Sequence, residues 1–195
     1  NIANVLAAIG ATIAMGVKNE NINAALTTFF PSYSQTPGRL TMFDMGPYKA
    51  LVDFAHNVAG YDALAEFVRS LNPENSIATI CLPGDRRDED FQNVAKTVAE
   101  TFNQVILFEG YLRGKKTGYI SNTLQKYLIS YGMDSNKIEI IADEHDAVQY
   151  ALDLAQEGDL LVISNYDIEG VHNRLIEHKK IMETKVTKKH KPKVL

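Results

Sequence analysis

An α/β fold, with a mostly parallel sheet and helices on both faces, is predicted by three observations. Four short runs, IATICL (77–82), QVILF (104–108), IEII (138–141) and DLLVIS (159–164), are β-branched and nearly all apolar. Such runs suit strands buried on both faces, the usual condition of a parallel sheet. Amphipathic stretches of crossover length separate them, so each strand can return parallel to the last through a helix. Ahead of them, two further strand-like runs flank Gly46-Pro47, a tight turn that makes the first strand an antiparallel addition at one edge. The pattern is Rossmann-like and needs about 140 residues.

Taken in order, the first 30 residues predict two helices. Val5, Leu6, Ile9 and Ile13 recur at helical spacing until Gly16; Asn19 is placed to cap a second helix carrying Ile22, Ala25, Leu26 and Phe29. Two short helices do not hold together alone, so a partner surface is implied. PSYSQTPG (31–38) is the candidate linker. Strands are then predicted over 40–45 and 48–54, a helix over 60–71, a strand over 77–82 and a helix over 88–102. A strand over 104–108, a helix over 119–131, a strand over 137–141, a helix over 144–156 and a strand over 159–164 follow. A last helix runs from about residue 168 into a basic tail.

Composition narrows the class. The 195 residues carry 20 Lys and Arg against 24 Asp and Glu, and 45% are hydrophobic, which excludes a disordered or collagen-like chain. No apolar run approaches the roughly 18–20 residues that span a bilayer, so no membrane partner is expected. Cys81 is the only cysteine. It excludes a disulfide framework and multi-Cys zinc sites, points to the cytoplasm, and reads as a core residue within an apolar strand. The net charge of −4 averages unlike parts: residues 179–195 hold seven Lys and one Glu, leaving −10 for residues 1–178. A frayed, solubilising terminus is the plain reading of that tail; an acidic polymer is the alternative contact, and nucleic acid is disfavoured. The chain opens Asn1-Ile2-Ala3 without Met or a signal pattern, and is expected to be cut from something longer.

Ligands of such sheets bind outside the carboxyl ends of the strands, here the loops 53–57, 83–88, 109–118 and 165–170. A P-loop, a GxGxxG turn and a GxSxG elbow are all missing, which disfavours self-sufficient nucleotide triphosphate binding, dinucleotide chemistry and serine hydrolysis. Asp53 ends a strand, where a carboxylate commonly accepts hydrogen bonds from ribose. His56 and Asn57 occupy the following turn, and Asn57 either caps the next helix or pairs with a purine edge. In GDRRDED, Gly84 allows an unusual backbone angle, and Arg86 and Arg87 offer bidentate recognition of carboxylate or phosphate. Asp85, Asp88, Glu89 and Asp90 surround them, so a self-satisfied charge cluster is the alternative. Arg39, at the linker's end, could reach a phosphate held by a neighbouring domain or simply face solvent. Arg113, Lys115 and Lys116 form a basic loop suited to an anionic substrate or to solvent. No residue is assigned to a metal.

In order and spacing, NVLAAIGATIAMGV (4–17), QTPGRL (35–40), DFAHNVAGY (53–61), PGDRRDED (83–90) and YLRG (111–114) resemble the C-terminal part of Mur-ligase-type enzymes, most closely the cyanophycin synthetase branch. The resemblance implies an ATP-dependent, ADP-forming acid–amino acid ligase, in which an amine attacks an acyl phosphate made from ATP. A central domain of the same polypeptide would supply the P-loop and hold most of the Mg2+ ligands. Residues 1–37 would be its last helices plus linker, 38–178 the mobile C-terminal domain, and 179–195 a basic tail. By position, Asp53 would bind ribose, Arg39 would approach the ATP phosphates, and His56 and Asn57 would lie beside the adenosine or the reacting centre. Gly84, Asp85, Arg86, Arg87, Asp88 and Arg113 would serve the substrate. That branch adds arginine to aspartate side chains of a polymer, so an amino acid and an acidic polymer or peptide acceptor are the implied partners, in a homo-oligomeric full-length enzyme. No catalytic residue is assigned to this chain, which alone is expected to be inactive. Val58 stands where the family usually has Pro, a departure that loosens the turn only slightly.

Three other readings stay open at this point. One is a ligase acting on a nucleotide-linked peptidoglycan precursor. Another is a stand-alone nucleotide- or amino-acid-binding regulatory module. The third is an interaction domain whose basic tail holds an acidic polymer.

Overall fold

The computed structural model describes residues 2–30 and 32–189, with side chains as far as residue 184. Helices α1 (Ile2–Ala14) and α2 (Asn19–Thr28) come first, then the hairpin β1 (Thr41–Asp44) and β2 (Lys49–Asp53). The remainder alternates: α3 (Val58–Leu71), β3 (Ser76–Ile80), α4 (Asp88–Ala99), β4 (Gln104–Leu107), α5 (Tyr119–Ser130), β5 (Ile138–Ile140), α6 (Glu144–Leu154), β6 (Leu160–Ser164) and α7 (Ile168–Lys189). A 3-10 turn at Ser135–Lys137 leads into β5.

One six-stranded sheet has the order β1-β2-β6-β3-β4-β5. Its first pair is antiparallel, with Met42 opposite Leu51, and every other pair is parallel. β6 lies in the middle: Val162 is in register with Leu51 on one side and Ala78 on the other. All residues of β3 and β6 are buried, as their mostly apolar sequences require, with Ser76, Thr79 and Ser164 the polar members. The chain steps outward from β2 through β3 and β4 to β5, then returns to β6. Right-handed crossovers therefore put α3, α4 and α5 on one face and α6 on the other. The packing agrees: α4 lies between α3 and α5, whereas α6 packs on α7 and on β3, β4 and β6.

Tyr61 ties the centre together. Its buried hydroxyl donates to the Cys81 carbonyl (2.7 Å) and lies 3.1 Å from Ser164 Oγ. Cys81 is fully buried, and burial raises its thiol far out of the reactive range, so it is a core residue.

Local chemistry differs from expectation in three places. Asn19 is the first residue of α2, not its cap; Lys18 holds that position and makes no side-chain capping bond. The helices predicted over 88–102 and 144–156 stop at Ala99 and Leu154. Fraying does not begin at residue 179, because α7 continues to Lys189 and Lys179 Nζ donates to the Asp44 carbonyl (2.6 Å). Residues 190–195 of the expected tail lie outside the described residues.

Neither α1 nor α2 buries a residue, and Ile2, Leu6, Ile13, Met15, Phe29 and Phe30 are each more than half exposed. By contrast, the segment 32–38 is fastened down. Tyr33 stacks on His172 of α7 with ring centroids 3.5 Å apart and planes 11° from parallel, and Phe43 tilts onto the same imidazole. Buried Gly38, at φ +68°, fits against Ile168, where a Cβ would press on the Ile side chain.

Burial lowers the His172 pKa, and its Nδ1 has no partner. A His with a depressed folded pKa stabilises the fold fully above its unfolded value of about 6.5. That contribution is lost as pH falls below this value, since the unfolded chain then binds the proton more readily. His172→Phe keeps a ring for Tyr33 but cannot titrate. The melting temperature of the wild type should fall relative to the variant between pH about 7 and about 5. Parallel pH profiles for the two proteins would contradict this account.

Candidate functional site

β2 and β3 run into helices of one face, while β6, between them, runs into α7, which packs with α6 on the other. By the rule for such sheets, connections that diverge in this way put the ligand crevice outside the carboxyl end of β6. Asn165 stands there as the first residue after the strand. It is 2% exposed, and neither amide atom of its side chain has a hydrogen-bond partner. Its backbone N–H donates to the Asp53 carbonyl at 3.3 Å. The sequence pointed to the 165–170 loop but not to this residue. The only signal is an Asn placed directly after five consecutive buried positions.

Beside it, residues distant in sequence converge. Asp53 ends β2, and its Oδ2 accepts the Leu40 N–H at 3.0 Å. Burial raises the Asp53 pKa, while that bond, the Arg39 guanidinium and His56 pull the other way. Arg39 itself is exposed; its guanidinium carbon lies 5.1 Å from the Phe54 ring centroid, and Nη1 donates to the Phe54 carbonyl at 3.3 Å. His56 Nδ1 lies 3.1 Å from that same carbonyl. Asn57 Oδ1 accepts the Gly60 N–H at 2.8 Å, so its oxygen caps α3 and its amide nitrogen is left over, 3.5 Å from His56 Nε2. Arg86 reaches across from the next loop and donates from Nε to the His56 carbonyl (3.2 Å). Arg39, Asp53, His56, Asn57 and Arg86 are therefore one constellation.

The charged residues of GDRRDED other than Arg86 find partners in α4 and α5 or face solvent. Arg87 makes a paired contact with Asp90, Nη2 to Oδ1 at 2.7 Å and Nε to Oδ2 at 3.1 Å, which holds the Asp90 carboxyl below the usual range. Asp88 accepts the Tyr127 hydroxyl at 2.7 Å and the Gln92 amide at 2.8 Å, which lowers its pKa. Asp85 is exposed. Gly84 corrects an expectation: its φ is not positive, so an unusual backbone angle is not its purpose. Close approach is. A Cβ there would overlap the Leu112 carbonyl, and its N–H donates to the Tyr111 carbonyl at 2.9 Å.

Tyr166 joins these loops. Its ring meets Tyr111 edge-on at 4.7 Å and Phe54 at 5.5 Å, while Arg113, at φ +50°, lays its guanidinium 5.1 Å from the Tyr111 centroid. Glu144, at the start of α6, accepts the Tyr166 and Asp167 N–H groups (2.6 and 3.2 Å) and fixes the turn. The edge thus offers the Asp53 carboxylate, the guanidinium groups of Arg39, Arg86 and Arg113, the buried Asn165 amide and an aromatic wall. Such a set recognises polar, anionic ligands through fixed donors. Among the described residues, no helix is long and apolar enough to cross a membrane.

Known proteins resemble this chain in sequence and in fold. Cyanophycin synthetase of Nostoc sp. is 43% identical over 163 residues, covering 83% of this chain and 18% of that protein. UDP-N-acetylmuramoyl-L-alanyl-D-glutamate–2,6-diaminopimelate ligase of Geobacillus kaustophilus is 30% identical over 165 residues, covering 84% of this chain and 32% of that protein. In fold, the chain is similar to E. coli FolC solved in complex with ADP, with a TM-score of 0.63 at 16% identity over 96% of this chain and 40% of that one. It thus spans a third or less of the two ligases it matches by sequence. A family model described as Mur ligase, glutamate ligase domain, matches residues 38–164, and the chain belongs to the Mur ligase family.

Proposed function

We propose that this chain is the closing half of an ATP-dependent, ADP-forming amide ligase, and that its parent adds arginine to the side chains of an aspartate polymer. The observation that carries the proposal is that Arg39 and Asp53, just before β1 and at the end of β2, lie close together at one edge of the sheet, the guanidinium near enough to lower the carboxyl pKa. Likeness to cyanophycin synthetases supports the substrate assignment.

The donor set fits a nucleotide. Asp53 uses Oδ2 for the Leu40 N–H and keeps Oδ1 for a ribose diol; Arg39 spends one nitrogen on Phe54 and keeps the others for phosphate oxygens. ATP, when bound, supplies the phosphoryl group that activates the carboxylate. His56 and Asn57 flank the adenosine or reacting centre, and Asn57 offers only its amide nitrogen. Asp85, Arg86 and Asn165 orient the incoming amino acid, with Arg113 at the rim. Gly84, Arg87 and Asp88 shape the loop that carries Arg86. Membership of the Mur ligase family supports assigning Mg2+ mainly to the central domain. Closure of this domain over that one completes the site and shuts out water.

Asp53→Asn keeps the shape and removes the charge. In the full-length ligase it should raise the KM for ATP about 10- to 100-fold and leave the KM for the amino acid nearly unchanged. An unaltered KM for ATP would remove Asp53 from the nucleotide site. ATP turnover that requires arginine and an aspartate polymer supports the substrate assignment, and turnover that requires a nucleotide-linked muropeptide overturns it.

A further inference from the structure

Residues 110–133 contain no Asp or Glu, yet carry Arg113, Lys115, Lys116 and Lys126. Outside this stretch, residues 1–178 sum to −14. Two of these cations, Lys116 and Lys126, share one concavity, with Asp88 close to Lys126. Lys116, Tyr119, Asn122, Thr123 and Lys126, one helical stripe of α5 and the loop before it, line an open concavity of about 470 Å3. Lys116 and Lys126 are exposed there. Lys115 Nζ lies 4.5 Å from the Tyr119 ring centroid and Lys126 Nζ 5.3 Å from that of Tyr127, so the flexible ammonium groups have rings to rest on.

The helix start is not what makes the patch positive. Glu109 already fills it, accepting the Ser121 N–H at 3.0 Å and the Ser121 hydroxyl at 2.5 Å. The attraction comes from the lysines. Their loop is also joined to the candidate site: Leu112 and Lys115 press directly on Gly84, at the head of the loop that carries Arg86.

We propose that the α5 face is a docking surface for a linear, carboxylate-rich polypeptide, holding the acceptor polymer beside the crevice between additions. The identity of that polymer rests on the ligase proposal; the surface itself rests on charge and shape. A narrow, flexible polyanion suits it, because the cations occupy one loop and one helix stripe. A nucleic-acid duplex needs a broad basic face, and single strands need open rings for stacking. Here Tyr111 and Tyr119 already carry Arg113 and Lys115.

The test is titration of fluorescently labelled oligo-aspartate into the 195-residue chain, read by anisotropy at low and moderate salt. The double variant K116E/K126E should bind about 10-fold more weakly or worse and show a shallower salt dependence, with K116A/K126A intermediate. K188E/K189E, in the C-terminal basic segment, should shift binding less than about 2-fold. Loss of binding in the K188E/K189E variant with K116E/K126E unchanged would move the docking site to that segment and overturn the proposal. Equal affinity for a single-stranded oligonucleotide of matched charge would overturn the partner class. Absence of any oligo-aspartate binding would also overturn it, while leaving the ATP assignment to its own KM test.

Discussion

Gly84→Ala should lower the unfolding free energy by about 3 kcal/mol or more, a melting-temperature drop on the order of 6–12 °C for a chain of this size. Gly84 is fully buried against a neighbouring backbone, not a side chain that can swing away. A methyl group there would overlap the Leu112 carbonyl oxygen, with the carbonyl carbon at 2.9 Å and Lys115 Cγ at 3.0 Å. For the methyl group to fit, the 111–116 loop must retreat and give up the hydrogen bond from Gly84 N to the Tyr111 carbonyl. The retreat also shifts Arg86 and hence the His56 turn. Urea denaturation measures the change directly. A shift below about 1 kcal/mol would mean that the loop yields easily and that Gly84 has been misread.

Asn165→Leu should act in the opposite sense on stability and more severely on function. A buried amide with no partner costs about 1–3 kcal/mol, and Leu has similar bulk without polar atoms. The variant should therefore be about 1 kcal/mol more stable than the wild type in the same urea assay. In the full-length ligase it should lose about 100-fold in kcat/KM for the amino acid, because a substrate that relied on the amide would now face hydrocarbon. A destabilised but fully active variant would make Asn165 an ordinary structural residue. The combination of gained stability and lost turnover is what a binding group held in reserve should give.

Much of the architecture was legible because burial writes itself into composition. IATICL and DLLVIS carry no polar alternation, and β3 and β6 prove to be the strands buried on both faces. The Gly46-Pro47 turn announced the antiparallel edge pair. Helix ends were less legible, since capping depends on single hydrogen bonds: Asn57 makes its bond and Asn19 does not. Strand order was not readable at all. Nothing in the linear pattern says that the last strand enters the middle of the sheet, and for that reason Asn165 could not be seen beside Asp53. Loop composition drew attention to GDRRDED as a unit. In space only Arg86 reaches the His56 turn, because Arg87 and Asp88 find partners in Asp90 and Tyr127.

The central position of β6 governs how the chain can be made. Before residues 160–164 exist, the β1–β2 hairpin and the β3–β4–β5 ribbon share no edge, since β6 alone bridges them. Leu51 waits more than a hundred positions for Val162. A chain emerging from the ribosome therefore holds two open sheet edges until residues 160–164 appear, exposed to wrong pairing until then. Its final five-residue strand works as a zip fastener, and assembly of the sheet is a late, nearly all-or-none event.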